Sequence, residues 1–451
     1  MSAVKIYGNL PKNYLVPWTK NSEFVLKSGV GIPIKYLDRY FIVTARHTVS
    51  YCTQLKITCH KNDIEITYPS NVINYIDNYD IAFVELHKKH IDSFTYYKEF
   101  DYDISKLNTY YTKKDNIHEK LNHNNVSFTK SMNPQYPTKI FLYGKFQNKD
   151  LYESNKVKGY SGAPVYENSK LIGMIVHWID EKIGIIPIKI IIRFLHEKII
   201  HTKIKGMCSL PILYDILNGL ELSDGHTRPA KMNGIKVNND YSIKYGRQKI
   251  GCNQLIMHVV YNETYMTFSE KGYLPDLSLN YWIPFDTFIS INYYSNDNLL
   301  LNTIDIKNTS KFVLKKLTLR PINELCNFTE FSPCEYESLN GYIIGSPSLD
   351  FLYLYQEYIN NKMFNILIKN NIIKCSNNIK KSYILLDAPK TENKIFNNKN
   401  KDFFFNIISI NKQNIIKLEQ LKKLNKLKNL KKTVICTNAY GTSYCFDIVK
   451  Q

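Results

Sequence analysis

Short apolar runs separated by polar turns fill residues 24–86 of the chain. Runs of about four to eight residues with turn-forming residues at regular intervals are typical of strands in an antiparallel barrel. The pattern therefore predicts a first β-barrel with strands at residues 24–26, 40–44, 55–58, 64–68 and 81–86.

A second group of apolar runs follows a long polar segment. Residues 87–136 are rich in Lys, Asn and His, and we interpret them as a connection between two barrels. A helix from about residue 190 to residue 200 is expected to end this part of the chain. The predicted fold class is mainly β, a double antiparallel β-barrel followed by further α+β modules. The strands of the second barrel are predicted at residues 139–143, 163–166, 171–176 and 184–188.

Near residue 420 the apolar spacing changes to a period of three in a lysine-rich stretch. A period of three drifts about 60° per step around an α-helix, so no single face holds the whole series. We expect a helix of about three turns and then a loop into a strand at Val434. The pattern leaves open a basic helix for a membrane or nucleic acid, but favours a helix packed on a sheet. The series is Ile415, Leu418, Leu421, Leu424, Leu427 and Leu430.

Length and composition indicate a folded protein of several domains. A chain of 451 residues holds about two to four domains of ordinary size. Hydrophobic residues make up 44% and aromatic residues 13% of the chain, which is enough for packed cores and excludes wholesale disorder. The most apolar window, residues 183–195, is interrupted by Pro187, Lys189 and Arg193 and is too short to span a bilayer. We expect no membrane partner.

Charge and cysteine content bear on partners and location. The formal net charge of +19 would attract acidic partners or nucleic acid. The abundance of Asn, Lys, Ile and Tyr is typical of an AT-rich genome, however, and dispersed surface charge is the simpler interpretation because no nucleic-acid motif accompanies it. The nine cysteines are odd in number and scattered, and the first residues lack the apolar core of a secretory signal. These features favour an intracellular, reducing compartment: cytoplasm, nucleus or, for a viral protein, virion.

Three short strings contain the parts of a nucleophilic triad. They are TARH at residues 44–47, DIAFV at 80–84 and GYSGAP at 159–164. A serine hydroxyl is a poor nucleophile near neutral pH, so it needs a base within hydrogen-bond reach, and that base needs a partner that fixes its tautomer. The candidate catalytic residues are the general base His47, the orienting carboxylate Asp80 and the nucleophile Ser161.

The chain order His, Asp, Ser separates the chymotrypsin arrangement from the subtilisin and α/β-hydrolase arrangements. Asp77 is an alternative to Asp80, but no strand follows it directly. Gly159 and Gly162 permit a tight turn that aims the Ser161 hydroxyl outward, because glycine adopts positive φ without steric cost. The backbone N–H groups of Gly159 and Ser161 are then the candidate oxyanion hole.

These strings resemble the chymotrypsin-fold, trypsin-like serine proteases and, among them, the HtrA/Deg family. Residues 44–47 are similar to its T-A-x-H, residues 80–84 to its D-I-A followed by two hydrophobic residues, and residues 159–164 to its G-x-S-G-G-P. Residues 184–188 and the predicted helix resemble its G-x-A-I-P and the helix that closes the protease domain. The resemblance implies a triad in the cleft between two barrels, and no cofactor.

A fainter resemblance to the two PDZ domains of plant-type Deg proteases covers much of the remaining chain. It implies a trypsin-like protease domain at residues 1–200, which should fold alone, and PDZ-like domains at 205–330 and 335–451. By resemblance, these modules would bind client tails or neighbouring subunits, and the protein would be a homo-oligomer, a trimer or larger. The matching stretches are residues 205–210, 232–240, 247–250, 317–321, 341–344 and 408–411.

Three positions depart from the family pattern. Tyr160 stands where digestive relatives carry an Asp that pairs with a newly cleaved N-terminus, so we expect activity without zymogen cleavage. Thr48 follows the histidine where secreted relatives have a disulfide cysteine. Ala163 replaces the second glycine after Ser161 and adds one methyl group beside the turn.

Val176 ends the strand expected to wall the primary specificity pocket, and His177 and Trp178 follow it. His177 would contact a polar substrate side chain and Trp178 would narrow the pocket, although both also fit an exposed strand end. The histidines show no H-E-x-x-H spacing and the cysteines no C-x-x-C, so no metal site is indicated.

The sequence thus predicts an intracellular, ATP-independent, HtrA/Deg-like serine endopeptidase that hydrolyses peptide bonds of protein substrates through an acyl-enzyme on Ser161. The alternative is a binding or chaperone-like protein that keeps the protease scaffold and cuts nothing. The complete set of candidate residues argues against that alternative. A third hypothesis, a nucleic-acid-associated factor, rests on the basic charge alone.

Overall fold

In the computed structural model, contacts divide the chain into two compact units. One consists of Met1–Leu10 and Val25–Leu325, the other of Pro11–Phe24 and Cys326–Gln451. The structure describes residues 3–12, 23–59, 64–76, 79–105, 109–114, 117–130, 137–153, 157–179, 181–201, 204–210, 214–222, 230–238, 241–242, 249–321, 335–346, 351–352, 383–387, 406–415, 418–426, 431–437 and 443–448.

The first sheet has seven strands in the order β5-β4-β1-β2-β3-β7-β6, paired antiparallel throughout. It contains all five predicted strands and adds β1 and β6. A single helical turn, α1 (Arg46–Val49), follows β3, and 3₁₀ turns lie at Ser70–Val72 and Lys88–Ser93. The strands are β1 (Val4–Pro11), β2 (Phe24–Tyr36), β3 (Arg39–Ala45), β4 (Gln54–Cys59), β5 (Ile64–Pro69), β6 (Asn74–Ile76) and β7 (Ile81–Glu85).

The second sheet closes into a six-stranded barrel in the order β10-β13-β12-β11-β8-β9. The predicted mainly-β fold with two antiparallel barrels is therefore confirmed. A one-turn helix, α2 (Asp150–Glu153), lies between β10 and β11. The strands are β8 (Thr109–Lys114), β9 (Ile117–Thr129), β10 (Lys139–Phe146), β11 (Pro164–Glu167), β12 (Lys170–Ile179) and β13 (Lys182–Pro187).

The interpretation of residues 87–136 as a connection between barrels is wrong for its second half. Strands β8 and β9 form a hairpin there and supply two of the six barrel strands. Tyr110 and Leu121 pair across this hairpin and are both buried. Lys and Asn are abundant around them because side chains on the outer face of a strand are free to be polar. The composition of this segment therefore does not show that it forms strands.

Helix α3 (Ile188–Ile200) begins two residues before the predicted start and ends at the predicted residue. Its Arg193 and Glu197 are both buried and form an ion pair one turn apart. Glu197 also accepts hydrogen bonds from the backbone N–H groups of Lys205 and Gly206. Both charges are thus paired inside the protein, as buried charges must be.

Residues 205–325 belong to the same compact unit as the barrels. Their main sheet has the order β15-β16-β19-β23-β24 with β20 on β19, and β14–β25, β17–β18 and β21–β22 form separate pairs. The elements are β14 (Cys208–Ser209), β15 (Tyr214–Leu222), β16 (Ala230–Val237), β17 (Tyr241–Ser242), β18 (Lys249–Ile250), β19 (Gln254–Tyr261), β20 (Thr264–Thr267), β21 (Tyr273–Asp276), β22 (Tyr281–Pro284), α4 (Phe285–Asn292), β23 (Asn298–Asp305), β24 (Asn308–Thr318) and β25 (Arg320–Pro321).

One hydrophobic core cluster joins buried side chains of both barrels and of the region after residue 205. It includes Phe41 of the first barrel, Ile185 of the second, Phe194 of α3 and Phe288 of α4. The predicted boundary at 200–205 and the PDZ-like identity of the region after it stay predictions.

The smaller unit contains a sheet in the order β26-β27-β28-β29-β31-β32, with β30 on β29. The predicted leucine-rich helix is present as α5 and is followed by β31, which contains Val434. Leu421 and Leu424 are buried in the core of this unit, so the helix packs on the sheet. Leu427 and Leu430 lie outside the described residues. The elements are β26 (Glu335–Leu339), β27 (Tyr342–Ser346), β28 (Tyr383–Asp387), β29 (Asn406–Ile410), β30 (Gln413–Asn414), α5 (Leu418–Lys426), β31 (Lys432–Thr437) and β32 (Ser443–Ile448).

In the part of the chain that the structure describes, no helix is both long enough and apolar enough to cross a bilayer.

Candidate active site

Two adjacent strands of the first barrel bring His47 and Asp80 together. Strand β3 runs directly into α1, which carries His47, and Asp80 immediately precedes β7. The two strands pair antiparallel with Ala45 opposite Ile81, so the end of one lies beside the start of the other. The backbone N–H of Arg46 donates to the Asp80 carbonyl at 3.2 Å and fixes this junction.

The Asp80 carboxylate holds His47 at two points. One oxygen, Oδ1, accepts the backbone N–H of His47 at 2.8 Å, and Oδ2 lies 2.5 Å from Nδ1 of its ring. With Nδ1–H donated to the carboxylate, Nε2 keeps the lone pair that a general base needs. The His47 side chain is 39% exposed, so the free side of its ring is open to a substrate. Asp77, the alternative carboxylate, lies outside the described residues.

The serine turn of the second barrel is tied to β12. The backbone N–H of Gly162 donates to the Ile175 carbonyl at 2.7 Å, and the Ile175 N–H donates to the Ala163 carbonyl at 3.0 Å. The Ala163 N–H closes the turn on the Tyr160 carbonyl at 2.8 Å. These bonds hold the backbone on both sides of the half-buried Ser161.

Gly162 sits where no side chain fits. Its φ is +89°, and a Cβ there would lie 1.9 Å from the Val30 carbonyl oxygen and 2.7 Å from Thr44 Oγ1. A positive φ is disfavoured for residues with a Cβ. The sequence reasoning that placed a glycine after Ser161 for a tight turn therefore agrees with this geometry, and the contact with Val30 adds a second reason.

Strand β2 connects the serine to the histidine across the two barrels. The Val30 N–H donates to the Ser161 carbonyl at 2.9 Å, and the Val30 carbonyl accepts the Thr44 hydroxyl at 2.7 Å. Thr44 precedes His47 by three residues on the β3–α1 segment. Val30 thus links the backbone of Ser161 to Thr44, three residues before His47.

Gly159, the first member of the candidate oxyanion hole, also has a φ of +89°. The ammonium of Lys114 lies next to it: Nζ donates to the Lys158 carbonyl at 3.0 Å. Tyr160 is buried and packs edge-on against Phe146, with ring centroids 5.0 Å apart. Neither the contact between Lys114 and this turn nor the packing of Tyr160 on Phe146 was predicted. No local sequence pattern indicates contacts between residues this far apart in the chain.

The three candidate pocket residues differ in their surroundings. Val176 is buried, and His177 and Trp178 are half-buried. The ring of His177 packs edge-on against Phe141, with centroids 4.9 Å apart, and that of Trp178 lies 6.3 Å from the ring of Tyr152. The two side chains therefore have different aromatic neighbours on the second barrel.

Burial and the charges of Asp80 and His47 act on the pKa of His177. Burial lowers the pKa of His177, the negative charge of Asp80 opposes this shift, and the charges of His47 and Lys139 add to it. Because the net pKa is below its ordinary value, the imidazole is neutral at neutral pH. A neutral imidazole offers one donor and one acceptor nitrogen.

Across the described ranges, no three His, Cys, Asp or Glu side chains are grouped so that they could hold a metal ion.

No protein-family model and no curated protein matches the chain. Among solved structures, the HtrA-type protease AlgW with a decapeptide is similar at 10% identity and a TM-score of 0.44, over 70% of this chain and 94% of that one. The serine endoprotease from Yersinia pestis is similar at 12% identity and a TM-score of 0.39, over 70% and 93%.

A third solved structure, the active form of a protease from M. tuberculosis, is similar at 15% identity and a TM-score of 0.31, over 41% of this chain and 75% of that one. Similarities of this size carry no argument about this chain, and its fold follows from the strand pairing itself. The resemblance to plant-type Deg proteases in particular stays a prediction.

Proposed function

We propose that the chain is an ATP-independent serine endopeptidase of the HtrA/Deg type. The observation that carries the proposal is the pair of contacts between Asp80 and His47, at 2.8 and 2.5 Å, and the link from the Ser161 turn through Val30 to Thr44 supports it. A histidine fixed in this tautomer is what a serine nucleophile requires. Peptide-bond hydrolysis by these groups needs no nucleotide.

The reaction proceeds in two halves. As the Ser161 oxygen attacks the substrate carbonyl carbon, His47 Nε2 takes the hydroxyl proton, and Asp80 stays ionised beside the imidazolium. The imidazolium then protonates the leaving amine, which departs and leaves an acyl-enzyme. A water molecule, deprotonated by His47, attacks the ester, and the proton returns to Ser161 as the acid leaves. The Gly159 and Ser161 N–H groups would stabilise the oxyanion in each half.

The end of β12 offers a backbone edge to the substrate. On the side that faces β11, the pairing of β12 ends at Ile175, which hydrogen-bonds the backbone of residues 162 and 163. Within the described residues, no strand pairs with Val176–Trp178 on that side. An extended substrate can add there as an antiparallel strand that leads toward Ser161, so we propose that Val176, His177 and Trp178 contact the residues before the scissile bond.

Labelling with a fluorophosphonate probe tests the proposal, because only an activated serine reacts. We expect the wild-type chain to be labelled and to hydrolyse fluorescein-labelled casein, and Ser161→Ala to lose both while keeping its melting temperature. His47→Ala should lose nearly as much, because the triad acts as a unit. Equal casein hydrolysis by wild type and Ser161→Ala would refute the assignment. A folded wild type that neither reacts nor cuts would favour the binding-protein alternative.

We also propose that the modules after residue 205 capture clients, that the protein assembles into a trimer or larger oligomer and that it is intracellular. These proposals rest on sequence resemblance and composition. Sedimentation of the purified chain measures the oligomeric state directly.

A further inference from the structure

The side chain of Lys114 lies beside the three residues immediately before Ser161. It extends from the end of β8, and its Nζ donates to the Lys158 carbonyl at 3.0 Å. The same Nζ lies 5.0 Å from the centroid of the Tyr160 ring. A Cβ built on Gly159 would lie 3.0 Å from it. The ammonium group therefore packs against the turn that carries the candidate oxyanion hole.

The bond to Lys158 determines which way the next N–H points. The peptide between Lys158 and Gly159 is not cis, and in a planar trans peptide the carbonyl and the following N–H point to opposite sides. Because the Lys158 carbonyl points at the ammonium of Lys114, the Gly159 N–H points away from it. If this peptide turned over, the Gly159 N–H would face the ammonium, donor against donor.

Glycine makes such a restraint necessary. Gly159 has a φ of +89°, and glycine adopts positive and negative φ about equally readily. The residue itself therefore does not select one orientation of the preceding peptide. A neighbouring group therefore has to select the orientation. The hydrogen bond from Lys114 is suited to this role because it is charge-assisted and stronger than a bond between neutral groups.

We infer that Lys114 is a positioning residue, which keeps the Gly159 N–H directed into the oxyanion hole. The inference rests on the proposed serine endopeptidase function. Loss of one oxyanion donor typically lowers the rate by about 10²–10³. Without Lys114 the peptide would still adopt the competent orientation in part of the molecules, and the rate would fall in proportion to that fraction. We expect about a tenfold decrease in kcat for Lys114→Met, with little change in KM, because the oxyanion exists only in the transition state.

Kinetics on fluorescein-labelled casein with four proteins tests this role. Lys114→Met removes the charge at similar length, and Lys114→Arg keeps a cationic donor and should restore most of the activity. Lys113→Met is the matched control, since Lys113 precedes Lys114 on β8 and adjacent side chains of a strand point to opposite faces. Melting temperatures verify that each variant folds, and Lys114→Gln, which keeps an uncharged donor, replaces Lys114→Met if that variant does not fold.

Crystal structures of the wild type and of Lys114→Met give a readout that does not depend on activity. We expect the Lys158 carbonyl to turn away from its wild-type direction in some or all molecules of the variant. An unchanged kcat, a lower kcat that Arg does not restore, or a carbonyl that keeps its direction would overturn the inference. If the wild type itself cuts nothing, the proposed function fails, and the direction of the carbonyl still decides the role of Lys114.

Discussion

The imidazole of His177 reaches across Gly184 to the phenol of Tyr143, with 3.1 Å between Nε2 and Oη. The three residues form one row because Tyr143 and His177 are each paired with Gly184 on the strand between them. A Cβ at residue 184 would lie 2.2 Å from the His177 ring, so glycine is required there. Burial raises the pKa of the Tyr143 phenol, and a hydrogen bond with the Thr129 side chain opposes this shift. The phenol hydroxyl donates to Nε2 in one tautomer of His177 and accepts from it in the other.

In the tautomer whose Nε2 accepts the Tyr143 hydroxyl, the neutral His177 keeps Nδ1–H as a donor. We expect the enzyme to prefer an acceptor side chain, Asn, Gln, Asp or Glu, over Leu at one position before the scissile bond. In a positional peptide library, the preference for these acceptor side chains over Leu should be about tenfold smaller for His177→Phe than for wild type, which corresponds to one hydrogen bond. Tyr143→Phe should lose part of the preference, because the hydroxyl that donates to Nε2 in this tautomer is then absent. An identical preference profile for wild type and His177→Phe would show that His177 does not contact the substrate.

The carboxylate assignment predicts a large difference between two neighbouring aspartates. Asp80→Asn keeps the shape of the side chain but favours the wrong tautomer of His47, and should lower kcat by about 10⁴. Asp77→Asn is the matched control and should change kcat little. Steady-state hydrolysis of casein by the two variants measures the ranking. The reverse ranking would transfer the orienting role to Asp77.

Gly162 gives a prediction about the turn itself. In Gly162→Ala the methyl group would meet the Val30 carbonyl at 1.9 Å in a conformation that already costs about 1–2 kcal/mol for a residue with a Cβ. We expect a lower melting temperature and loss of most fluorophosphonate labelling, since the bond from Val30 to Ser161 has to move. Ala163→Gly, one residue further along, should keep most of the labelling. Full labelling of Gly162→Ala would show that the turn tolerates a shift of β2.

The barrels and the elements of the site follow from local sequence patterns. The apolar run before His47 and that after Asp80 predict two strands, and the structure pairs them so that these residues meet. The glycines around Ser161 predict a turn because only glycine adopts such a φ at little cost. These signals lie within a few residues of the side chains that they position.

The parts that escaped prediction depend on contacts between residues distant in sequence. Lys114 and Lys158 are 44 residues apart, and Tyr143 and His177 are 34 apart. Such contacts depend on barrel register, which a single sequence does not specify outside its alternating apolar positions. Strands β8 and β9 were missed for a related reason, since polar residues on their outer face obscure the buried Tyr110 and Leu121.

A buried ion pair joins α3 to the region after residue 205. Lys189 Nζ lies 2.5 Å from Asp276 Oδ2, and the Asn292 side chain hydrogen-bonds both groups. Lys189→Met would leave a buried charge unpaired, so we expect a loss of about 3–5 kcal/mol in the free energy of unfolding. Urea unfolding at pH 7 measures this loss, and Lys182→Met, on an exposed residue at the start of β13, is the control. A loss below about 1 kcal/mol would mean that the site relaxes around the charge.

The same pair predicts how stability depends on pH. Burial alone would raise the pKa of Asp276, but Lys189, Asn292 and the Leu279 N–H together hold it below its usual value. An unfolded Asp takes up its proton near pH 4. Below about pH 5 the unfolded state therefore binds more protons than the folded state, and the stability decreases as the pH is lowered. Asp276→Asn should be less stable than wild type at pH 7 and show a smaller decrease in stability between pH 6 and pH 4. Parallel pH profiles for the two proteins would contradict the assignment.

Truncation tests whether the barrels fold alone. Asp286 of α4 accepts hydrogen bonds from the backbone and hydroxyl of Thr138, both at 2.8 Å, and buried Arg193 donates to the Tyr293 carbonyl at 2.9 Å. A fragment of residues 1–200 loses these partners and exposes part of the shared core, so, against the sequence-based expectation, we expect it to aggregate. Residues 1–325 should be soluble and react with the fluorophosphonate, and the same fragment with Ser161→Ala should not. Cooperative unfolding of a monomeric 1–200 fragment would instead support a boundary near residue 200.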